Sequence, residues 1–166
     1  EPSRLKALIG NYEVGAVITT HRHQDHTGAL ADIINMTGAQ PWCGEPDAEA
    51  IEATTGVTCS TVWDGDLFRL GDVKLDVIGL VGHTRGSIAL RLQGNPSDHV
   101  LTGDSLFPGG VGKTSGSREF ESLYTDICMK IFAPMSDTTV IHPGHGDATT
   151  VGEERPNLPL WRARGW

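Results

Sequence analysis

The chain has 166 residues, 38 % of them hydrophobic, and a formal net charge of −8. That length and apolar content fit a single domain, residues 1–166, with its own core. The negative charge speaks against nucleic-acid or anionic-membrane partners, and no apolar run is long enough to span a bilayer. In chain order, Pro2 to Ile9 reads as a short helix and Val14 to Ile18 as a buried strand. Ala29, Leu30, Ile33 and Ile34 have helical spacing that ends at Gly38. Pro41–Cys43 is a short strand, and Pro46 opens a helix with Asp47 and Glu49 in its first turn. Strands punctuated by Asp64-Gly65, Leu70-Gly71 and Gly94-Asn95-Pro96 fill the stretch from Thr58 to Thr102. Phe120, Leu123, Tyr124, Ile127, Cys128, Ile131 and Phe132 form one apolar stripe, which predicts a helix over 118–132 with Ser117 as N-cap. The tail from Arg155 to Trp166 reads as an irregular wrap.

The densest chemistry is His21-Arg22-His23-Gln24-Asp25-His26, directly after the first strand. Residues two apart in extended backbone point the same way, so His21 and His23 can converge on one point. Asp25 and His26 lie past a turn and can converge on a second point nearby. Three further candidates each follow a strand and are flanked by glycine: His83 in Gly82–Ser87, Asp104 in Gly103-Asp104, and His145 in Gly144-His145-Gly146. Glycine lets the backbone turn sharply and approach an ion. Five histidines and two aspartates suffice for two metal ions sharing a carboxylate, and such nitrogen and oxygen donors suit zinc, with iron or manganese as alternatives. His142 competes with His145, but Pro143-Gly144 between them argues for a strand end followed by a loop. His99 follows a turn-rich stretch and is expected in solvent. The cysteines Cys43, Cys59 and Cys128 are odd in number and lie outside every ligand block, which fits a reduced, cytoplasmic setting. Core packing is the expected role of Cys128.

At these blocks the chain resembles the metallo-β-lactamase-fold superfamily, most closely its glyoxalase II (hydroxyacylglutathione hydrolase) branch. The resemblance rests on His-x-His-x-Asp-His at His21–His26, Gly-His-Thr-x-Gly-Ser at Gly82–Ser87, Gly-Asp-x-Leu-Phe at Gly103–Phe107, and Gly144-His145. It implies an α+β fold, a four-layer αββα sandwich. It also implies a first metal on His21, His23 and His83 and a second on Asp25, His26 and His145, with Asp104 bridging. In that family the first block comes some tens of residues later, after an N-terminal set of strands. Here it begins at position 21, so the chain is expected to lack those strands. Lys113 occupies the place of a basic residue that holds a carboxylate of the glutathione portion. The family's tyrosines are replaced by Ser115 and Asp147, which puts the thiol carrier in doubt.

The implied chemistry is hydrolysis of a small-molecule 2-hydroxyacyl thioester by a hydroxide held between two cations. Zinc lowers the pKa of bound water from about 15.7 to near 7. A thiolate, from a thiol of pKa about 8.5, leaves with little help, whereas an amide nitrogen needs a proton. No acid is dedicated to a leaving group, although Asp25 could serve. The alternatives are a mononuclear iron persulfide dioxygenase using His21, His83 and Asp104, another hydrolase of this fold (lactonase, β-lactamase or phosphodiesterase), and a non-catalytic binding module. The last would be expected to have lost ligands, and none is lost.

Overall fold

A computed structural model describes residues 2–165. The elements are α1 (Pro2–Ile9), β1 (Ala16–Thr19), α2 (Gln24–Thr27), α3 (Leu30–Thr37), β2 (Gln40–Gly44), α4 (Ala48–Thr55) and β3 (Ser60–Val62). Then come β4 (Leu67–Leu70), β5 (Val73–Gly79), β6 (Ile88–Leu92), β7 (His99–Gly103), β8 (Leu106–Phe107) and β9 (Gly110–Val111). The chain closes with α5 (Ser117–Ile127), β10 (Val140–Pro143), β11 (Thr149–Thr150), α6 (Val151–Glu154) and α7 (Leu158–Arg164).

β1, β2 and β3 form a parallel three-stranded sheet. A second sheet runs in the order β11-β10-β7-β6-β5-β4, antiparallel except between β7 and β10. The side chains sort into three apolar seams, which define the four layers. Between the sheets lie Val62, Phe68, Val77, Ile88 and Leu90, with Ala16, Ile18 and Trp42 against them. Trp42 meets Phe68 edge to face at 5.2 Å across this seam. On the outer face of the first sheet, Val17 and Cys43 pack with Leu30 and Ile34 of α3 and Ile51 of α4. On the outer face of the second, Ile78, Ala89, Val100 and Ile141 meet Phe120, Leu123 and Ile127 of α5 and Trp161 of α7. Period two explains this sharing. Ala16 and Ile18 face one seam and Val17 the other, so β1 reads as an unbroken apolar run because both its faces are covered.

Three elements depart from the expectations. The long helix is α-helical to Ile127 and continues through Cys128–Phe132 as a π-turn, with the Ala133 N–H bonding the Cys128 carbonyl at 2.9 Å. Its N-cap is Gly116, with Ser117 inside the first turn. The tail is not irregular: it forms a single turn at Arg155–Asn157 and then α7, while Trp166 lies outside the described residues. Pro156 and Pro159 sit in first turns, where a missing N–H costs no hydrogen bond. Trp161 is buried, and the Tyr124 hydroxyl donates to the Leu158 carbonyl at 2.9 Å. Finally, His99 is half-buried at the start of β7, its Nδ1 2.9 Å from Nε2 of His142. No helix of the described residues is long and apolar enough to cross a membrane.

Candidate metal centre

Strand direction brings the four motif blocks together. β5, β7 and β10 run the same way in the second sheet, so the loops carrying His83, Asp104 and His145 emerge at one edge. The loop after β1 joins them there: the Ile88 N–H bonds the Thr20 carbonyl at 2.9 Å, linking the two sheets. His23 is the extended N-cap of α2, and its carbonyl accepts the N–H groups of His26 and Thr27 at 3.0 Å. Asp25 and His26 therefore sit on a one-turn helix rather than on an open loop.

The candidate ligands fall into two groups. His21, His23 and His83 form one; Asp25, His26, Asp104 and His145 form the other, with donor atoms in each group within 4.8 Å of one another. The rings of the first group stand 4.6–4.8 Å apart, each nearly perpendicular to its neighbours. Asp104 reaches both groups: its Oδ1 lies 3.2 Å from His26 Nε2 and its Oδ2 3.9 Å from His83 Nε2. His145 Nε2 lies 3.1 Å from His26 Nε2 and 3.2 Å from Asp25 Oδ2. His142 turns away and pairs with His99 instead.

The donor set fits a cation. The Nδ1 of His83 lies 2.7 Å from the Lys113 carbonyl, an acceptor, so this nitrogen carries the proton and Nε2 is left as a lone pair. The buried atoms His21 Nε2, His83 Nε2 and Asp104 Oδ1 have no hydrogen-bond partner. Buried polar atoms without partners are costly, and a metal ion bound at this cluster would satisfy all three. Two glycines permit the close approach. A Cβ on Gly144 would lie 2.2 Å from Asp104 Oδ1, and one on Gly112 would lie 1.7 Å from the Asp104 carbonyl oxygen.

Burial, followed by the imidazoles of His26, His83 and His23, pushes the His21 pKa down to about 3. Burial also lowers that of His83. Both imidazoles are neutral at pH 7, the state a metal ligand requires. For Asp25, slight burial acts upward but is outweighed by a backbone N–H and by His26 and His145, so its carboxyl stays below the usual range and is ionised. That state suits a ligand better than a proton donor. The sign of the histidine shifts carries a prediction. Below about pH 6.5, and at His21 down to about pH 3, the unfolded chain binds protons at these positions that the folded chain refuses. The metal-free protein should therefore lose stability as pH falls through that window. Melting of chelator-treated protein checks this: a lower Tm at pH 5.5 than at 7.5 is expected, and an equal or higher one would contradict the buried neutral state.

Sequence reasoning missed Asp47. Its position predicts no more than a place in a helix first turn, but the side chain is fully buried. Its Oδ2 accepts the Arg22 N–H at 3.0 Å and the Thr84 hydroxyl at 2.6 Å, and its Oδ1 accepts the Gly86 N–H at 3.0 Å. One carboxylate thus ties the loop of His21 and His23 to the loop of His83. Lys130 supports the same loop from behind. Its ammonium donates to the Gly79 carbonyl at 2.7 Å and pairs with Asp64 and Asp126, while Asp126 accepts the Val81 N–H. Lys113 contributes its carbonyl to His83, and its side chain is exposed. Two cavities flank the centre and share Arg22. One of about 520 Å³ includes His83, Arg85 and Arg118; one of about 750 Å³ includes His23, Thr27, Ala31 and Ala50.

Known proteins match this arrangement. The family model described as the metallo-beta-lactamase superfamily matches residues 3–151. The chain is similar to the hydroxyacylglutathione hydrolase GloC of Haemophilus influenzae, at 28 % identity over 97 % of this chain and 81 % of the relative. It spans about half the length of several other curated relatives. Among solved structures, ETHE1 of Myxococcus xanthus superimposes with a TM-score of 0.76 at 26 % identity, covering 97 % of this chain and 68 % of that one. A protein crystallised in a di-iron-bound form gives 0.75 at 26 % identity, over 96 % and 85 %.

Proposed function

The chain belongs to the metallo-β-lactamase superfamily and carries the residues of a metal-dependent hydrolase, and we propose that its substrates are 2-hydroxyacyl thioesters of a small thiol. The observation that carries this reading is the second donor group, Asp25, His26, Asp104 and His145, beside a complete first group. The similarity to a hydroxyacylglutathione hydrolase supports the substrate class.

His21, His23 and His83 would hold one divalent ion and Asp25, His26 and His145 another, with Asp104 between them. Zinc suits the nitrogen and oxygen donors, and the di-iron neighbour supports iron as the alternative. Bound there, the ions supply a water ionised near neutral pH and a Lewis acid for the substrate carbonyl. The chain's own contribution is positional. Asp47 and Lys130 fix the loops, the Lys113 carbonyl sets the His83 tautomer, and ionised Asp25 completes the donor set. Since the carboxylates of the cluster are committed as ligands, the leaving group must depart without a dedicated proton. Thiolates do so readily; amide nitrogens do not. All three cysteines are free, which fits the reducing cytoplasm that this reading expects.

A second reading, a mononuclear iron persulfide dioxygenase, has one observation in its favour: the buried atoms without partners at the centre belong to its trio of His21, His83 and Asp104. One experiment separates the two. Freshly purified protein is assayed for metal content and for hydrolysis of lactoylglutathione. Two ions per chain, with hydrolysis that rises with pH and is abolished reversibly by a chelator, are expected. One iron per chain, oxygen uptake with glutathione persulfide and no hydrolysis would replace the first reading with the second.

A further inference from the structure

The cavity beside His83 gathers cations in a chain that is otherwise acidic. Arg22, Arg85 and Arg118 line it together with His83 and Ser115, and Glu119 is its acidic residue. The three arginines come from three separate segments: the loop after β1, the loop after β5 and the first turn of α5. Their states differ. Arg22 is anchored, its backbone N–H on Asp47 and its guanidinium 3.7 Å from the same carboxylate. Arg85 and Arg118 are exposed and have no hydrogen bond or ion pair with any described residue. Arg118 also sits against its local electrostatics, since a cation in a helix's first turn faces the positive end of the dipole.

A planar guanidinium matches a carboxylate or phosphate through paired hydrogen bonds. Two such groups without internal partners, in a space of about 520 Å³ bordered by a candidate metal ligand, are arranged for an anionic group on a molecule that also reaches the centre. Ser115, where the resembled family has a tyrosine, also lines this space. Lys113 does not line this space; it lines a neighbouring cavity of about 410 Å³. We propose that Arg85 and Arg118, with Arg22 as a fixed flank, bind the anionic arm of the substrate's thiol carrier and select carriers bearing a carboxylate or phosphate. This rests on the thioester reading of the same site.

The test is direct binding, without turnover, to the full chain as purified with its metals. Three unreactive thioether probes are titrated by calorimetry: S-methylglutathione (carboxylates), S-methyl-4′-phosphopantetheine (phosphate) and S-methylpantetheine (uncharged). At least one anionic probe should bind roughly tenfold or more tightly than the uncharged one, as charge-assisted hydrogen bonds would give. Which one binds identifies the carrier's anion. Arg85→Ala/Arg118→Ala should erase that preference, and circular dichroism should show the variant folded, since both side chains lie on the surface. Equal binding of all three probes, or a preference that survives in the double variant, would overturn the proposal. The two readings fail separately. An arginine-dependent preference without any thioester hydrolysis would keep the anion site and sink the hydrolase. Hydrolysis of anionic thioesters with KM unchanged in the double variant would do the reverse.

Discussion

Asp104→Ala should lower kcat/KM by about a thousandfold, since a metal clamp contributes several kcal/mol to the transition state. Asp104 reaches both donor groups, its Oδ1 3.2 Å from His26 and its Oδ2 3.9 Å from His83. Its loss removes a negative charge from among five imidazoles and takes away the atom between the groups. Metal content should fall from two ions per chain, and added metal should not restore it. Lys113→Ala is the contrast. Its ammonium is exposed and its contribution to His83 comes from the backbone carbonyl, which alanine keeps. KM should rise while kcat stays within about threefold. Steady-state kinetics with metal analysis on both variants decides this. A large kcat loss in Lys113→Ala would move that side chain into the chemistry.

Asp47→Ala should be the most damaging substitution outside the candidate ligands. It would leave the Arg22 and Gly86 N–H groups without their acceptor and the Thr84 hydroxyl with Ser87 alone. Each buried donor left unsatisfied costs about 1–3 kcal/mol, so the loss is a large part of the stability of a domain this size. Asp47→Asn keeps one acceptor oxygen and the volume, so it should fold with a smaller loss. If Asp47 positions the two loops, folded Asp47→Asn should still bind less metal than the parent. Equilibrium denaturation and metal titration on the same sample test both parts. Full metal affinity in a destabilised Asp47→Asn would limit the residue to stability alone.

Asp47 also marks where the sequence stops being readable. The motif blocks were legible because each is local: an apolar run, a glycine, then a donor. Their shared edge follows once the strands lie parallel. The alternation that makes layers was legible too, as were the stops at Gly38 and the stripe from Phe120 to Phe132. Asp47 offers no such signal. Its partners lie 25, 37 and 39 residues away, and an aspartate in a first turn has an adequate local explanation. The pairing of His99 with His142 is hidden in the same way, because it depends on β7 lying beside β10. Arg85 and Arg118 are 33 residues apart and meet only where α5 crosses the second sheet. The tail differs from the irregular wrap expected there because Pro156 and Pro159 stand where a helix opens rather than in its interior.

The double coverage of β1 has a consequence for its alignment. A strand with one wet face is held in register by its pattern, because a slip of one residue would drown polar groups and expose apolar ones. Both faces of β1 pack on apolar side chains, with Ala16, Val17 and Ile18 each half-buried, so these three could trade places between apolar surroundings at little cost in solvation. What distinguishes one alignment from its neighbours must lie at the polar exit: buried Thr19, the Thr20 carbonyl on Ile88, and the Arg22 N–H on Asp47. Those contacts also deliver His21 and His23 to the centre. Threading and chemistry therefore share one set of instructions, and an engineer who rewrites the residues between Thr19 and His23 will be editing how the chain is laid down as well as what it binds.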